Sequence, residues 1–389
     1  MPLDEIRAAL REEGLDGWLF FDHHQRDPLA YRILRLRPAG PVSRRWYYLI
    51  PADGEPRGLV HRIESEVLNG LPGTMSVYSS WAQQVEGLRR LLEGCHAVAM
   101  QYSPRCAVPY VSMVDAGTVE LVRDTGVEVR GSENLVQYFE ARWSAEQLES
   151  HLEAGRRVDR IRDDAFARIR ERLAAGRPVD EWAVSRFIRE SFAADGLTTD
   201  HGPIVAVNEN ASNPHYEPTS ERTRAIGRGD SVLIDMWAKL DAADSVYYDI
   251  TWTGHCGPAP PADVLNVFAI VTEARDRAVG RVRDAVAAGE PLRGFEVDDA
   301  ARGVIRDHGF GDWFIHRTGH SIGREVHGAG ANMDNLETHD ERRIIAGTCF
   351  SVEPGIYLPR FGIRSEVNVY VGPDAARVTG EIQRDLVLL

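Results

Sequence analysis

Along the first 130 residues, short continuous apolar runs alternate with helix-spaced apolar positions. Leu3, Ile6, Leu10 and Leu15 keep to one helical face and predict an opening helix over 2–14. Gly17–Phe21 is apolar throughout and reads as a buried strand. Arg45–Pro51 predicts a second strand closing on the turn Asp53-Gly54. A helix is expected over Gln84–Leu92, a third strand over Ala97–Met100 and a fourth over Val119–Val122. Strands alternating with helices point to a layered α/β unit. Between Asp22 and Asp27 the chain is dense in polar groups just after a strand. Strand ends carry function in many α/β folds, but the default for such a segment is a solvated loop.

The pattern changes near 135–144, which sets domains of 1–140 and 141–389. Ser144 and Gln147 form a capping box. Leu148, Leu152, Val158, Ile161, Phe166, Ile169 and Leu173 predict a long helix over Ala145–Leu173 that stops at Gly176. A helix over Asp180–Ala194 follows, then strands at Ile204–Val207 and Ser231–Asp235, the latter with a hairpin partner at Val246–Trp252. A second round has helices over Ala262–Ala288 and Val297–His308, then strands at Trp313–Ile322, Thr348–Val352 and Ile363–Val371. The order helix-helix-strands thus occurs twice, without sequence identity between the copies.

Composition narrows the chemistry. The chain has 389 residues, 43% hydrophobic and 27% charged, which fits a globular protein of two domains. No apolar run reaches the roughly 18 residues of a membrane span, and the start lacks a secretory pattern. Cys95, Cys106, Cys256 and Cys349 form no Cys-x-x-Cys pair, so reduced thiols in the cytoplasm are expected. A net charge of −14 disfavours a nucleic-acid or anionic-membrane partner. Among 45 basic residues the one lysine is Lys239, in Trp-Ala-Lys-Leu. That context excludes a phosphate-binding G-x-x-x-x-G-K loop and leaves little room for kinase or lysine Schiff-base chemistry.

Asp235, Asp249, His320, Glu353 and Glu366 each sit in or beside an apolar, strand-like run. Buried carboxylates are costly unless paired or bound to metal. Taken singly, an acid at a strand end is more often a turn cap or ion-pair partner. Together, four carboxylates and one imidazole suit two divalent ions such as Mn²⁺, Zn²⁺ or Co²⁺, and water between two such ions is hydroxide at neutral pH.

The order Asp, Asp, His, Glu, Glu resembles the pita-bread metallopeptidase family, which includes methionine aminopeptidase, aminopeptidase P, prolidase and the metal-free creatinase. The stretches that carry the likeness are Val232–Asp235, Asp249–Thr251, His316–Gly323, Val326-His327, Ser351–Tyr357 and Gly362–Glu366. The fold resemblance runs over about 150–385, and residues 1–140 are similar in size and pattern to the creatinase/prolidase N-domain. An α/β N-terminal domain and an α+β pita-bread catalytic domain are therefore expected. The resemblance implies Asp235 on one ion, Asp249 and Glu366 bridging both, and His320 and Glu353 on the other. It also implies that Glu353 helps deprotonate the water. His215 matches a substrate-site histidine, His327 the one that contacts the scissile amide, and His316 and Arg364 further active-site positions. The reaction implied is metal-dependent hydrolysis of Xaa-Pro dipeptides by a homodimer. Aminopeptidase P activity on longer peptides, or hydrolysis of a small non-peptide amide, stands as the alternative.

The chain departs from that family in places. Asp235 and Asp249 are fourteen residues apart, more than is usual, with Leu240–Asp244 as the extra hairpin tip. Trp252 stands where an arginine is common, and Val367 where an acid is common. One rival motif remains: Gly319-His320-Ser321-Ile322-Gly323 formally matches the serine-hydrolase G-x-S-x-G. The histidines after Ser321, His327 and His339, lie too near for that layout. A pita-bread fold without catalysis would be expected to have lost its metal ligands, and all five are present.

Overall fold

In the computed structural model, which describes residues 1–38 and 40–389, the chain divides into units of Met1–Glu140 and Ala141–Leu389. The first unit is built on the strands β1 (Gly17–Asp22), β2 (Trp46–Pro51), β3 (Arg57–His61), β4 (Thr74–Tyr78), β5 (Ala97–Met100) and β6 (Glu128–Gly131). They form one mixed sheet in the order β4-β3-β2-β1-β5-β6. Strand β1 is apolar on both faces because it lies inside this sheet, antiparallel to β2 and parallel to β5. Helices α1 (Leu3–Glu12), α2 (Pro28–Leu34), α3 (Trp81–Leu91), α4 (Ala116–Arg123) and α5 (Glu133–Val136) complete the unit.

One expectation changes here. Val119–Val122 is helical, not a strand. Asp115 caps α4 by accepting the Thr118 N–H, and Val119 and Val122 lie three apart on the buried face. The Asp22–Asp27 segment is the expected loop, exposed at His24, Gln25 and Arg26, but it is anchored at both ends by buried aspartates. The Asp22 carboxylate accepts the backbone N–H groups of Gln25, Arg26 and Asp27 and the Tyr31 hydroxyl. It thereby holds His24 and Gln25 in the left-handed conformation, at φ 66° and 55°.

The second unit opens on α6 (Ala145–Ala174), with the Ser144–Gln147 capping box in place. Helix α7 (Glu181–Ala194) and the strands β7 (Leu197–Thr198), β8 (Ile204–Val207), β9 (Ser231–Leu240) and β10 (Tyr248–His255) follow. Next come α8 (Ala262–Ala288), α9 (Gly294–Asp307), β11 (Ser321–Ile322), β12 (Cys349–Val352), β13 (Gly355–Leu358), β14 (Phe361–Arg364), β15 (Val367–Val371), β16 (Ala376–Thr379) and β17 (Val387–Leu388). The sheets run β17-β10-β9-β7, with β8 also on β9, then β11-β12-β15-β16, and the hairpin β13-β14. The expected strand at 313–322 reduces to β11. Its first half is a 3₁₀ turn and a loop tied to α9, as Arg302 donates to the Phe314 and His316 carbonyls. The run 363–371 is likewise split, because the chain leaves β14 at Ser365-Glu366 before entering β15.

Val158, Ile161, Phe166 and Ile169 of α6 pack with Val232, Ile234, Met236 and Ile250 of β9 and β10. A Cβ at Gly155 would lie 2.8 Å from the Tyr248 ring, so a side chain there would lift α6 off β10 next to Asp249. One turn earlier the fully buried His151 bonds the Tyr247 carbonyl through Nδ1, at 2.7 Å, and Thr379 Oγ1 through Nε2, at 2.6 Å. Burial lowers its pKa to about 4. The unfolded chain, with an imidazole near the ordinary value of 6.5, takes up that proton first. The stability this group contributes is therefore complete above about pH 6.5 and is lost as pH falls toward 4. His151→Gln should lose about 1–3 kcal/mol at pH 7 and show a flatter decline through that window. Urea titrations of both proteins at half-unit pH steps measure this, and parallel pH profiles would refute it.

Candidate metal centre

The antiparallel register of β9 and β10 sets Asp235 opposite Thr251 and Asp249 opposite Trp237, on one face of the pair. Glu366 reaches the same face from the turn between β14 and β15. Its Oε2 accepts the Thr251 hydroxyl at 2.9 Å, and its backbone N–H donates to the Thr251 carbonyl. His320 comes from the residue before β11. A Cβ at Gly319 would sit 1.9 Å from the Ser351 carbonyl oxygen, so glycine there lets the segment lie flat on β12. Ser351 then receives the His320 N–H on its hydroxyl and returns its own hydrogen to Glu353 Oε1 at 3.0 Å.

Ligand atoms of Asp249, His320 and Glu366 all lie within 4.8 Å of one another. The other two expected ligands join through pair contacts. His320 Nε2 is 3.3 Å from Glu353 Oε1 and 3.6 Å from Asp249 Oδ2. Asp235 Oδ2 is held by Arg364 at 2.5 Å. His320 Nδ1 faces the Ser321 carbonyl at 3.2 Å, which leaves Nε2 as the atom turned to the carboxylates.

The charge balance of this cluster is uneven. Burial raises the Asp235 carboxyl despite Arg364. Burial, with repulsion from Asp235 and Glu353, pushes Asp249 up to about 7. Glu366 is raised well above the carboxylate range, first by burial and then by Asp249, Glu353 and Asp235. Burial would also raise Glu353, but His320, His316 and Arg364 outweigh it and keep this group ionised. Buried Asp249 Oδ1 and Glu366 Oε1 have no hydrogen-bond partner among the described residues. Oxygen-rich donors, one imidazole nitrogen and two orphaned acceptors fit divalent cations, which would relieve the repulsion these groups impose on one another.

The remaining expected residues take different places. The His327 ring meets His320 edge-on at 4.3 Å. The positive field of His320, followed by burial and Arg317, lowers its pKa to about 3. His215 is exposed, and its charge acts on His327. Both ring nitrogens of His316 are engaged, Nδ1 with the Arg317 carbonyl and Nε2 with Tyr357 Oη, each at 2.6 Å. Arg364 spreads its guanidinium over Thr251 Oγ1, Tyr357 Oη and Asp235. Ser321 is no nucleophile elbow: it lies buried in β11, and its hydroxyl accepts the Gly330 N–H.

Sequence reasoning missed Tyr357, Thr251 and the Asp298–Arg302 pair. Tyr357 joins His316 to Arg364, and burial pushes its hydroxyl up to about 12. Asp298, fully buried in α9, accepts the Thr318 N–H at 2.8 Å, the Thr318 hydroxyl at 2.6 Å and both arms of Arg302. This pair pins the loop that delivers His320. The available signal was Asp298 four residues before Arg302 in a helix, a spacing common on solvated surfaces.

The sequence model of metallopeptidase family M24 matches residues 149–373. A Xaa-Pro dipeptidase of Pyrococcus furiosus is 32% identical over 185 residues, 47% of this chain and 48% of that protein. A probable dipeptidase PepE of Mycobacterium tuberculosis is 30% identical over 244 residues, 62% of this chain and 59% of that protein. The chain thus spans about half the length of the curated relatives it matches. Among solved structures, dipeptidase PepE from Mycobacterium ulcerans superimposes with a TM-score of 0.72 at 25% identity, over 99% of this chain and 96% of that one. A prolidase from Thermococcus sibiricus, 23% identical, shares the fold with a TM-score of 0.65 over 100% and 98%.

Chelator-stripped protein should rise in thermal midpoint when Mn²⁺, Zn²⁺ or Co²⁺ is added. At a hundredfold excess over Kd the linkage is worth about 2.7 kcal/mol. Asp249→Asn should lose that response, yet unfold no more easily than the wild type when both are stripped, because it removes one of the crowded charges. Calorimetry with and without metal measures both. A midpoint indifferent to all three ions would sink the donor set.

Proposed function

The chain belongs to metallopeptidase family M24, and on that premise we propose that it hydrolyses the peptide bond of Xaa-Pro dipeptides at the Asp235, Asp249, His320, Glu353 and Glu366 cluster. The observation that carries this reading is the convergence of Asp249, Glu353 and Glu366 on buried His320, with Asp235 beside them on Arg364 and acceptor atoms left over. The dipeptidase names of the relatives from Pyrococcus furiosus and Mycobacterium tuberculosis support the substrate. We assign two divalent ions of the Mn, Zn or Co class to the cluster. The unpaired state of all four cysteines fits a reducing compartment, and a cytoplasmic homodimer is the assembly the resemblance implies.

Bound there, two dications would polarise the scissile carbonyl and acidify a water molecule. The protein's own groups divide the rest of the work. Glu353 is partly open to the site and held ionised, so it can take a proton and release it toward the departing nitrogen. His327, beside His320 and reachable by solvent, is placed to contact the substrate amide. His316 acts as a positioning group. Its Nδ1–H is committed to the Arg317 carbonyl and its Nε2 accepts from Tyr357, which orients Arg364 against Asp235. Burial lowers the His316 pKa to about 4, so it stays neutral at working pH and keeps this chain of donors in one direction.

Metal-stripped protein reloaded with each ion should cleave Ala-Pro and leave Ala-Pro-Ala intact. Glu353→Gln should lower kcat by at least about a hundredfold. Cleavage of the tripeptide as well would shift the reading to aminopeptidase P. Binding of metal with neither peptide cut would refute it in favour of a small amide.

A further inference from the structure

In the first unit, β2 runs antiparallel to both β1 and β3, while β1, β3, β4, β5 and β6 all point one way. From β1 the chain steps outward through β2 and β3 to β4, then crosses back to place β5 on the other side of β1. In open α/β sheets, ligands bind in the crevice at the carboxyl ends of the strands, next to such a reversal. A cavity of about 890 Å³ lies there. Its lining includes Phe21 in β1, His61 at the end of β3, Tyr78 at the end of β4 and Thr118 in the first turn of α4. The volume falls within the range of small-molecule sites, roughly 300–1,000 Å³. All of the lining residues belong to the first unit.

The charges on this lining are one-sided. Arg26, Arg44 and Arg45, with the imidazoles of His23, His24 and His61, face a single acid, Asp115. Asp115 is already engaged: Oδ1 accepts the Thr118 N–H at 2.9 Å and Oδ2 the Thr118 hydroxyl at 2.8 Å. Two acids on adjoining segments are occupied as well. Asp22 holds three backbone N–H groups and the Tyr31 hydroxyl, and Glu64 holds Ser43 and the Arg44 N–H. The guanidinium of Arg44 donates to the Ser43 carbonyl and hydroxyl. Those of Arg26 and Arg45 have no hydrogen bond or ion pair among the described residues. Elsewhere exposed arginines such as Arg90, Arg130 and Arg156 sit against an acid. Burial lowers the pKa of His23, and the positive charges of His24, Arg26 and Arg45 lower it further. Unpaired cations converging on one cavity, in a chain of net charge −14, suit an anion. The lining also offers a flat face. Trp81, the first residue of α3, is 78% exposed, and an exposed indole beside guanidinium groups can stack on a planar ligand.

We infer that this cavity is a second binding site, for a small dianion that carries a flat ring: Arg26 and Arg45 take its charge and Trp81 its ring. A nucleoside phosphate and an aromatic dicarboxylate share that chemistry. The inference stands on the first unit alone and does not depend on the dipeptidase reading.

Calorimetry on the full-length, metal-loaded protein reads the binding of AMP, phthalate and adenosine. AMP or phthalate should bind at millimolar concentration or below, and which of them binds more tightly tells a phosphate from a dicarboxylate site. Adenosine, which has the ring without the charge, should bind at least about tenfold more weakly than AMP. Arg26→Ala and Arg45→Ala should each weaken the bound dianion at least about tenfold, and Trp81→Ala at least about fivefold. The arginine variants separate this site from the metal centre, because an anion held by the ions alone is indifferent to them. Thermal midpoints check folding, and Arg26→Gln, Arg45→Gln and Trp81→Leu serve where an alanine variant folds poorly. Three results would each overturn the inference: neither dianion binds, adenosine binds as tightly as AMP, or affinity stays within about twofold of the wild type in the arginine variants or in the Trp81 variant.

Discussion

Four carboxylates forced onto one buried imidazole and one guanidinium are the constraint from which the rest of the second unit follows. Like charges at this spacing repel strongly in a poorly hydrated site. Burial first, and this repulsion after it, raise the carboxyls of Asp235, Asp249 and Glu366. A fold holds such a cluster only if the backbone leaves it no way to spread. Here each acid comes from a strand or a tight strand connection: β9, β10, the end of β12, and the turn between β14 and β15. The β9–β10 pairing is in turn clamped from behind by α6, through Gly155 against Tyr248 and through His151 bonded to the Tyr247 carbonyl.

Much of this was legible in the amino-acid order because acids inside apolar runs violate the usual burial rule. Asp235 after Val232-Leu233-Ile234 and Asp249 within Tyr247-Tyr248-Asp-Ile250 stand out for that reason, and the structure brings them together. The long helices were legible too, since α6 and α8 carry sustained periodicity and α6 a full capping box. The failures have a common cause. Val119–Val122 is too short a run to separate strand from helix, and the Asp115 cap decides it. The strand expected at 313–322 looked apolar enough, but Arg302 and Asp298 capture its backbone groups before a ladder can. Polar side chains that satisfy backbone from a distance leave no periodic trace. Asp298 stayed invisible on that account; Thr251 and Tyr357 lay within the stretches that carried the resemblance but drew no role, because their bonds run to other side chains.

The lengthened β9–β10 hairpin shows how local sequence departures reach the site. Its tip is not a free excursion. Asp244 pairs with Arg324, the Tyr247 N–H donates to the Gly323 carbonyl, and Lys239 donates to the Arg324 carbonyl. All three contacts fall on the turn that leads, three residues on, to His327. The exposed Asp244–Arg324 pair contributes little by itself, but the two bonds to backbone carbonyls fix where the turn sits. An ordinary loop carrying an exposed histidine would be among the more mobile parts of the unit. In this chain it is fastened to the same hairpin that supplies Asp235 and Asp249, so those two acids and His327 share one rigid support. The extra length at the tip, usually the most tolerant part of a hairpin, is thus bracketed by bonds from Lys239, Asp244 and Tyr247.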